Sequence, residues 1–205
     1  MSGSANQPPY LESSLAGFLE LVSAGEPAPA GGSAAAVAVG LAAALSAMAA
    51  RLSTDQLAEA SDLVAGSEAL RDRAGVLAQA DAAAYGLVVM ELRSPRESDP
   101  KKRHRRVQEA LSVAAGVPTE IAEIGADVAA IAAQLAERGN PNLLGDALTA
   151  ALLAEAATRA AAALVMINLK SFPDDERVDK TARAVARSAE SAARARRILD
   201  VGLRL

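Results

Sequence analysis

Few side chains in this sequence are placed to do chemistry, and each has a structural alternative. Gly31-Gly32-Ser33 opens an uncharged helix. Two glycines there expose backbone N–H groups at the positive end of the helix, where a carboxylate or phosphate can bind. A plain cap with close backbone packing explains them equally well. The loop lacks the lysine and spacing of a nucleotide-binding P-loop, and no strand precedes it.

Asp81 lies in LAQADAAAYGLVVM. A carboxylate among alanines in mid-helix sits either on a wet edge or in the interior with a partner. Burial would raise its pKa and suit it to acid–base work. Tyr85 follows one turn later on the same face and can donate a hydrogen bond or stack on a flat ligand. Asn140, Asn142 and Asp146 gather in GNPNLLGD, where Asn and Asp are also ordinary cap and turn residues. Asn168 interrupts VMINL, and an amide inside an apolar segment costs about 1–3 kcal/mol unless paired. His104 stands alone inside KKRHRR, and no carboxylate cluster has ligand spacing, so no metal site is expected. Glu120, Glu123 and Asp127 share one helical face, either as a second acidic site or as a solvated surface.

The elements that carry these groups are helical. Tyr10 to about Gly25 has apolar residues at helical spacing, and GEPAPAGG ends it. The central helix runs from a Ser33 cap to Arg51, almost all alanine. Its twenty uncharged residues could cross a membrane by length. Methyl groups drive lipid insertion weakly, however, and aromatic belts are missing, so a packed helix is expected. The third helix spans roughly 55–93, capped by Ser53 or Thr54. The fourth begins near Pro100, bends at Val117-Pro118 and ends at Gly139. A fifth covers 146–170, capped by Asn142 or Asp146, and a charged sixth follows Pro173-Asp174.

Composition limits the partners. The 205 residues carry a net charge of -4, with 2% aromatics and no cysteine. Disulfides and thiol catalysis are excluded, and the single basic run is too short to suggest nucleic acid. Residues 1–9 read as a disordered lead without signal-peptide features, so a cytoplasmic location is expected. Residues 10–205 then form one all-α domain, a bundle of about six main helices. Its small side chains favour completion of the core by dimerisation.

PAPAGGSAAA, DAAAYG, GNPNLLGD and VMINL, in that order, resemble the cyclodeaminase/cyclohydrolase family over about residues 10–200. The family includes the C-terminal domain of formiminotransferase-cyclodeaminase and free-standing methenyltetrahydrofolate cyclohydrolases. The resemblance implies a helical homodimer that binds a tetrahydrofolate derivative as substrate, near the dimer interface, with no further cofactor required. It puts Asp81 at the family's acidic position as proton shuttle, with Tyr85 shaping its surroundings. Gly31, Gly32 and Ser33 match the family's glycine-serine signature, and Asn140, Asn142, Asp146 and Asn168 match its ligand-orienting amides and acid. Ala30 replaces the first of three glycines, Gly145 a common serine, and Arg96 a common lysine. Two readings from other classes remain: a folate-binding module without turnover, and a helical scaffold whose Asp81 and Asn168 pair internally.

Overall fold

In the computed structural model, residues 10–94 and 100–202 are described. They form a 3-10 turn, Tyr10–Glu12, followed by α1 (Leu15–Ser23), α2 (Gly31–Arg51) and α3 (Ala60–Arg93). α4 (Pro100–Ala114) and α5 (Gly116–Arg138) come next, then a second 3-10 turn, Pro141–Leu143. α6 (Leu144–Asn168) and α7 (Glu176–Gly202) complete the chain. No strand occurs among the described residues. The expected lead at 1–9 and Arg96 lie outside those residues.

The all-α bundle agrees with the expectation, and its six rods are present with the fourth divided. Pro118 has no N–H to give the Ala114 carbonyl, so the helix breaks at Ala115 rather than bending smoothly. Both the N–H and the hydroxyl of Thr119 donate to the Ala115 carbonyl, at 3.2 and 2.8 Å, and restart the ladder.

Three starts differ from the sequence reading. α2 begins at Gly31 behind Ala30, and Ser33 caps nothing there. α3 begins at Ala60 rather than near 55, because residues 52–59 are used in turns. Ser53 caps no helix: its hydroxyl donates to Ala49 O at 2.7 Å and accepts from Asn140 N at 2.9 Å. α6 starts at Leu144, without a side-chain cap from Asn142 or Asp146.

α2 is the axis. It runs antiparallel to α3, with Gly40 near Ala74 and Arg51 paired with Glu68, and antiparallel to α6, with Gly31 near Leu164. α5 lies parallel to α2, and α7 packs on α5 and α6. Ala36, Ala42, Ala43, Ala129, Ala150 and Ala154 are fully buried, so helices meet at methyl distance. The α5–α6 crossing is tight at Gly125, where an added Cβ would lie 2.4 Å from Thr158 Oγ1 and 3.3 Å from Val39. Gly125→Ala is therefore expected to destabilise the fold by about 1–3 kcal/mol, read as a lowered urea midpoint.

Glu120, Glu123 and Asp127 do not form an acidic site. They pair with Arg73, Lys180 and Arg187 respectively, tying α5 to α3 and α7. Alanine also makes three helical stretches long and apolar enough to cross a membrane by length and composition, where the sequence reading counts one. These are Gly31–Arg51, Ala60–Arg93 and Pro141–Asn168.

Candidate active site

The α1–α2 loop, the start of α2, the middle of α3 and the end of α6 enclose an open cavity of about 510 Å³. Gly31, Gly32, Asp81, Tyr85 and Asn168 all line it. Residues from three segments far apart in sequence thus meet because α3 and α6 both run antiparallel to α2. The cavity is of a size that holds small organic ligands.

Asp81 packs directly on Gly32. A Cβ at residue 32 would fall 2.0 Å from Oδ1 and 2.3 Å from Cγ, so the carboxylate occupies the space a side chain would fill. Gly32 is buried, and its role is this close approach. Ser33 is fully buried and does not line the cavity. Its hydroxyl donates to Ala78 O at 2.8 Å and contacts Asp81 Oδ2 at 3.4 Å. Ser33 thus fastens α2 to the turn bearing Asp81 and does not face a ligand. Burial raises the Asp81 pKa, and hydrogen bonds from the Ser33 backbone and hydroxyl offset part of the rise.

Tyr85 is partly exposed, one turn along the cavity wall. Asn168 is only half-buried, and its neighbours Met166 and Ile167 are 62% and 66% exposed. The apolar run VMINL is therefore not a deep interior segment, and its amide sits at the cavity edge. Apolar sequence alone cannot tell interior from an uncovered face.

Asn140, Asn142 and Asp146 are elsewhere. The Asn140 side chain accepts from Asn142 N at 3.0 Å and donates to Leu52 O at 3.0 Å, at the opposite end of α2. Twenty-one residues of helix separate the two ends, about 30 Å at the α-helical rise. Within one chain this turn cannot touch what Asp81 touches.

Sequence reasoning missed two residues. Tyr10 is buried edge-to-face on Phe18, with ring centroids 5.7 Å apart. Burial, and then the negative charge of Asp81, raise its pKa, which places the phenol within electrostatic reach of that carboxylate. In the sequence Tyr10 reads only as the start of an apolar helical stretch, with nothing that links it to Asp81. Glu26 lines the cavity from the α1–α2 loop, where it reads only as a turn residue. No group of three metal-ligating side chains occurs among the described residues.

A family model for formiminotransferase-cyclodeaminase matches residues 14–187. The chain belongs to this family. It is 32% identical over 165 residues to methenyltetrahydrofolate cyclohydrolase of Methylorubrum extorquens, covering 77% of this chain and 79% of that protein. It is 33% identical over 180 residues to formimidoyltransferase-cyclodeaminase of Mus musculus, covering 83% of this chain but 33% of the mouse protein. The chain thus corresponds to about a third of that longer relative. Among solved structures, formiminotetrahydrofolate cyclodeaminase of Thermotoga maritima superposes with a TM-score of 0.81 at 27% identity, over 94% of this chain and 98% of that one.

Proposed function

We propose that the chain is an enzyme of folate one-carbon metabolism acting on the carbon that bridges N5 and N10, as a cyclodeaminase or a cyclohydrolase. The observation that carries this is Asp81: a carboxylate of raised pKa on the wall of an open cavity, beside Tyr85 and Asn168. Membership of a family with enzymes of both names supports it. A scaffold would leave these polar groups paired away, whereas here they face the cavity.

In the deaminase direction, N10 attacks the formimino carbon and the bond to the terminal nitrogen breaks. Asp81 takes the N10 proton and delivers one to the departing ammonia. In the hydrolase direction, Asp81 accepts a proton from water as the oxygen bonds to the methenyl carbon. It returns that proton to N5 as the C–N5 bond opens, and formation of the formyl C=O releases one proton overall. Tyr85 and Asn168 orient the ligand. A cationic substrate beside Asp81 favours its ionised form, so binding itself prepares the base. The test is to incubate purified protein separately with 5-formimino- and 5,10-methenyltetrahydrofolate and follow methenyl absorbance. Accelerated appearance from the first or loss of the second is expected, and no acceleration of either overturns the reading.

The working unit in this proposal is a cytoplasmic homodimer paired along α2. Val37, Leu41, Leu45 and Met48 form an uncharged stripe on α2 that no helix of this chain covers fully, and Leu41 is 54% exposed. α1 likewise turns Leu15 and Leu19 outward. Leu41 is the midpoint of α2, so an antiparallel two-fold there would bring the partner's Asn140 and Asn142 toward the Gly31 end. That accounts for one set of site residues divided between opposite ends of a helix. Light scattering should give twice 20.8 kDa, and Leu41→Arg should return one chain mass. A monomeric wild type would remove this arrangement.

A further inference from the structure

Two acidic residues line the cavity from different elements, Asp81 on α3 and Glu26 on the α1–α2 loop. No lysine, arginine or histidine occurs among its described lining residues. The two acids differ in setting. Asp81 is half-buried against Gly32, whereas Glu26 is exposed. Pro27 restricts the Glu26 backbone to extended conformations, which narrows the positions its side chain can take before a ligand arrives.

A cavity with this charge is complementary to a ligand that brings positive charge. If the proposed function holds, such charge resides in the reacting unit itself. The methenyl bridge is a cationic N–C–N group, and the formimino amidine is protonated at neutral pH. The ring-opened 10-formyl compound is neutral at the same carbon. We infer that Glu26 is the residue that recognises the positive N–C–N unit, so that the cavity selects cationic amidines over their neutral ring-opened counterparts. This assignment rests on the folate reading and adds a division of labour: Glu26 attracts the cation, and Asp81 moves the proton. Tyr85 and Asn168 supply hydrogen bonds without charge, and Glu26 adds a second carboxylate to that of Asp81 in the recognition of the cation.

The experiment compares wild type, Glu26→Gln and Glu26→Asp in initial-rate kinetics, with 10-formyltetrahydrofolate as a neutral inhibitor. Glu26→Gln should raise KM for the cationic substrate about tenfold while kcat stays within about twofold. The inhibition constant of the neutral compound should stay unchanged. Glu26→Asp, which keeps the charge, should recover most of the loss. KM and inhibition constant moving together, or neither moving, overturns the assignment. A fall in kcat at constant KM also overturns it, because Glu26 would then act in proton transfer. Equilibrium dialysis with the methenyl and 10-formyl compounds reads the same discrimination without turnover. A wild type that turns over neither folate yet binds the methenyl compound, with the tenfold loss in Glu26→Gln, would sustain this assignment while the catalytic reading falls. Binding of neither compound removes both.

Discussion

Asp81→Asn should lower turnover by about 10²–10⁴ while leaving folate affinity within a few-fold, because the amide keeps the shape but cannot exchange a proton. The same substitution should make the protein more stable at neutral pH. Burial raises the Asp81 pKa in the folded state, so folding favours the neutral acid. The cost of the ionised form is absent below the unfolded carboxylate pKa. It grows as pH rises through the higher folded value and is constant above that. Asp81→Asn should thus raise Tm at about pH 8 and leave it nearly unchanged at about pH 4. Stability lost at a catalytic group is a common cost of activity. A folded variant with near-normal rates on both folates would refute the catalytic role. A variant equally impaired in affinity and rate would mean that Asp81 grips the ligand.

Gly32→Ala should be nearly as damaging, though it removes no functional group. The new methyl would need the space that Asp81 Oδ1 and Cγ hold, at 2.0 and 2.3 Å from the ideal Cβ. Asp81 is a side chain with two rotatable bonds, so it swings away more easily than α2 separates from α3. Turnover should fall at least about 100-fold, since misplacement by about 1 Å can already cost that much. The accompanying destabilisation should stay within about 1–3 kcal/mol. Rates with both folates and a thermal melt check this. A folded Gly32→Ala with normal kcat would show that the carboxylate need not sit where it does. Gly32 thus acts chiefly through the acid's position, where the sequence alone leaves anion contact and close packing equally open.

Much of the fold is legible from local pattern. Pro118 marks where the fourth rod is disturbed, though as a bend rather than the break observed, and Asp81 and Tyr85, one turn apart, share a wall as their spacing requires. The charged positions on α5 and α7 face one another in ion pairs that the sequence does not announce. What escapes is the third dimension. On α2 and α6 alanine occurs on nearly every side, so neither helix marks in sequence which face the core will cover. For that reason Asn168 reads as interior, although it lies beside exposed Ile167. Ser33 reads as a cap because its hydroxyl's partner, Ala78 O, is 45 residues away. Asn140 and Asn142 read as companions of Asp81, since nothing local reveals that α2 holds them a helix length apart.

The distribution of aromatic residues has an optical consequence. The chain has two tyrosines and no tryptophan, and both tyrosines belong to the surroundings of Asp81: Tyr85 in the cavity wall, Tyr10 within reach of its charge. Tyrosine emission therefore comes entirely from the neighbourhood of the site, with no background from the rest of the bundle. A folate bound there would accept energy from Tyr85 directly. Unfolding of the bundle elsewhere would leave the signal unchanged until α3 or the Tyr10 turn moved. The protein thus carries an intrinsic fluorophore pair localised around Asp81, and occupancy of the cavity can be followed without a label.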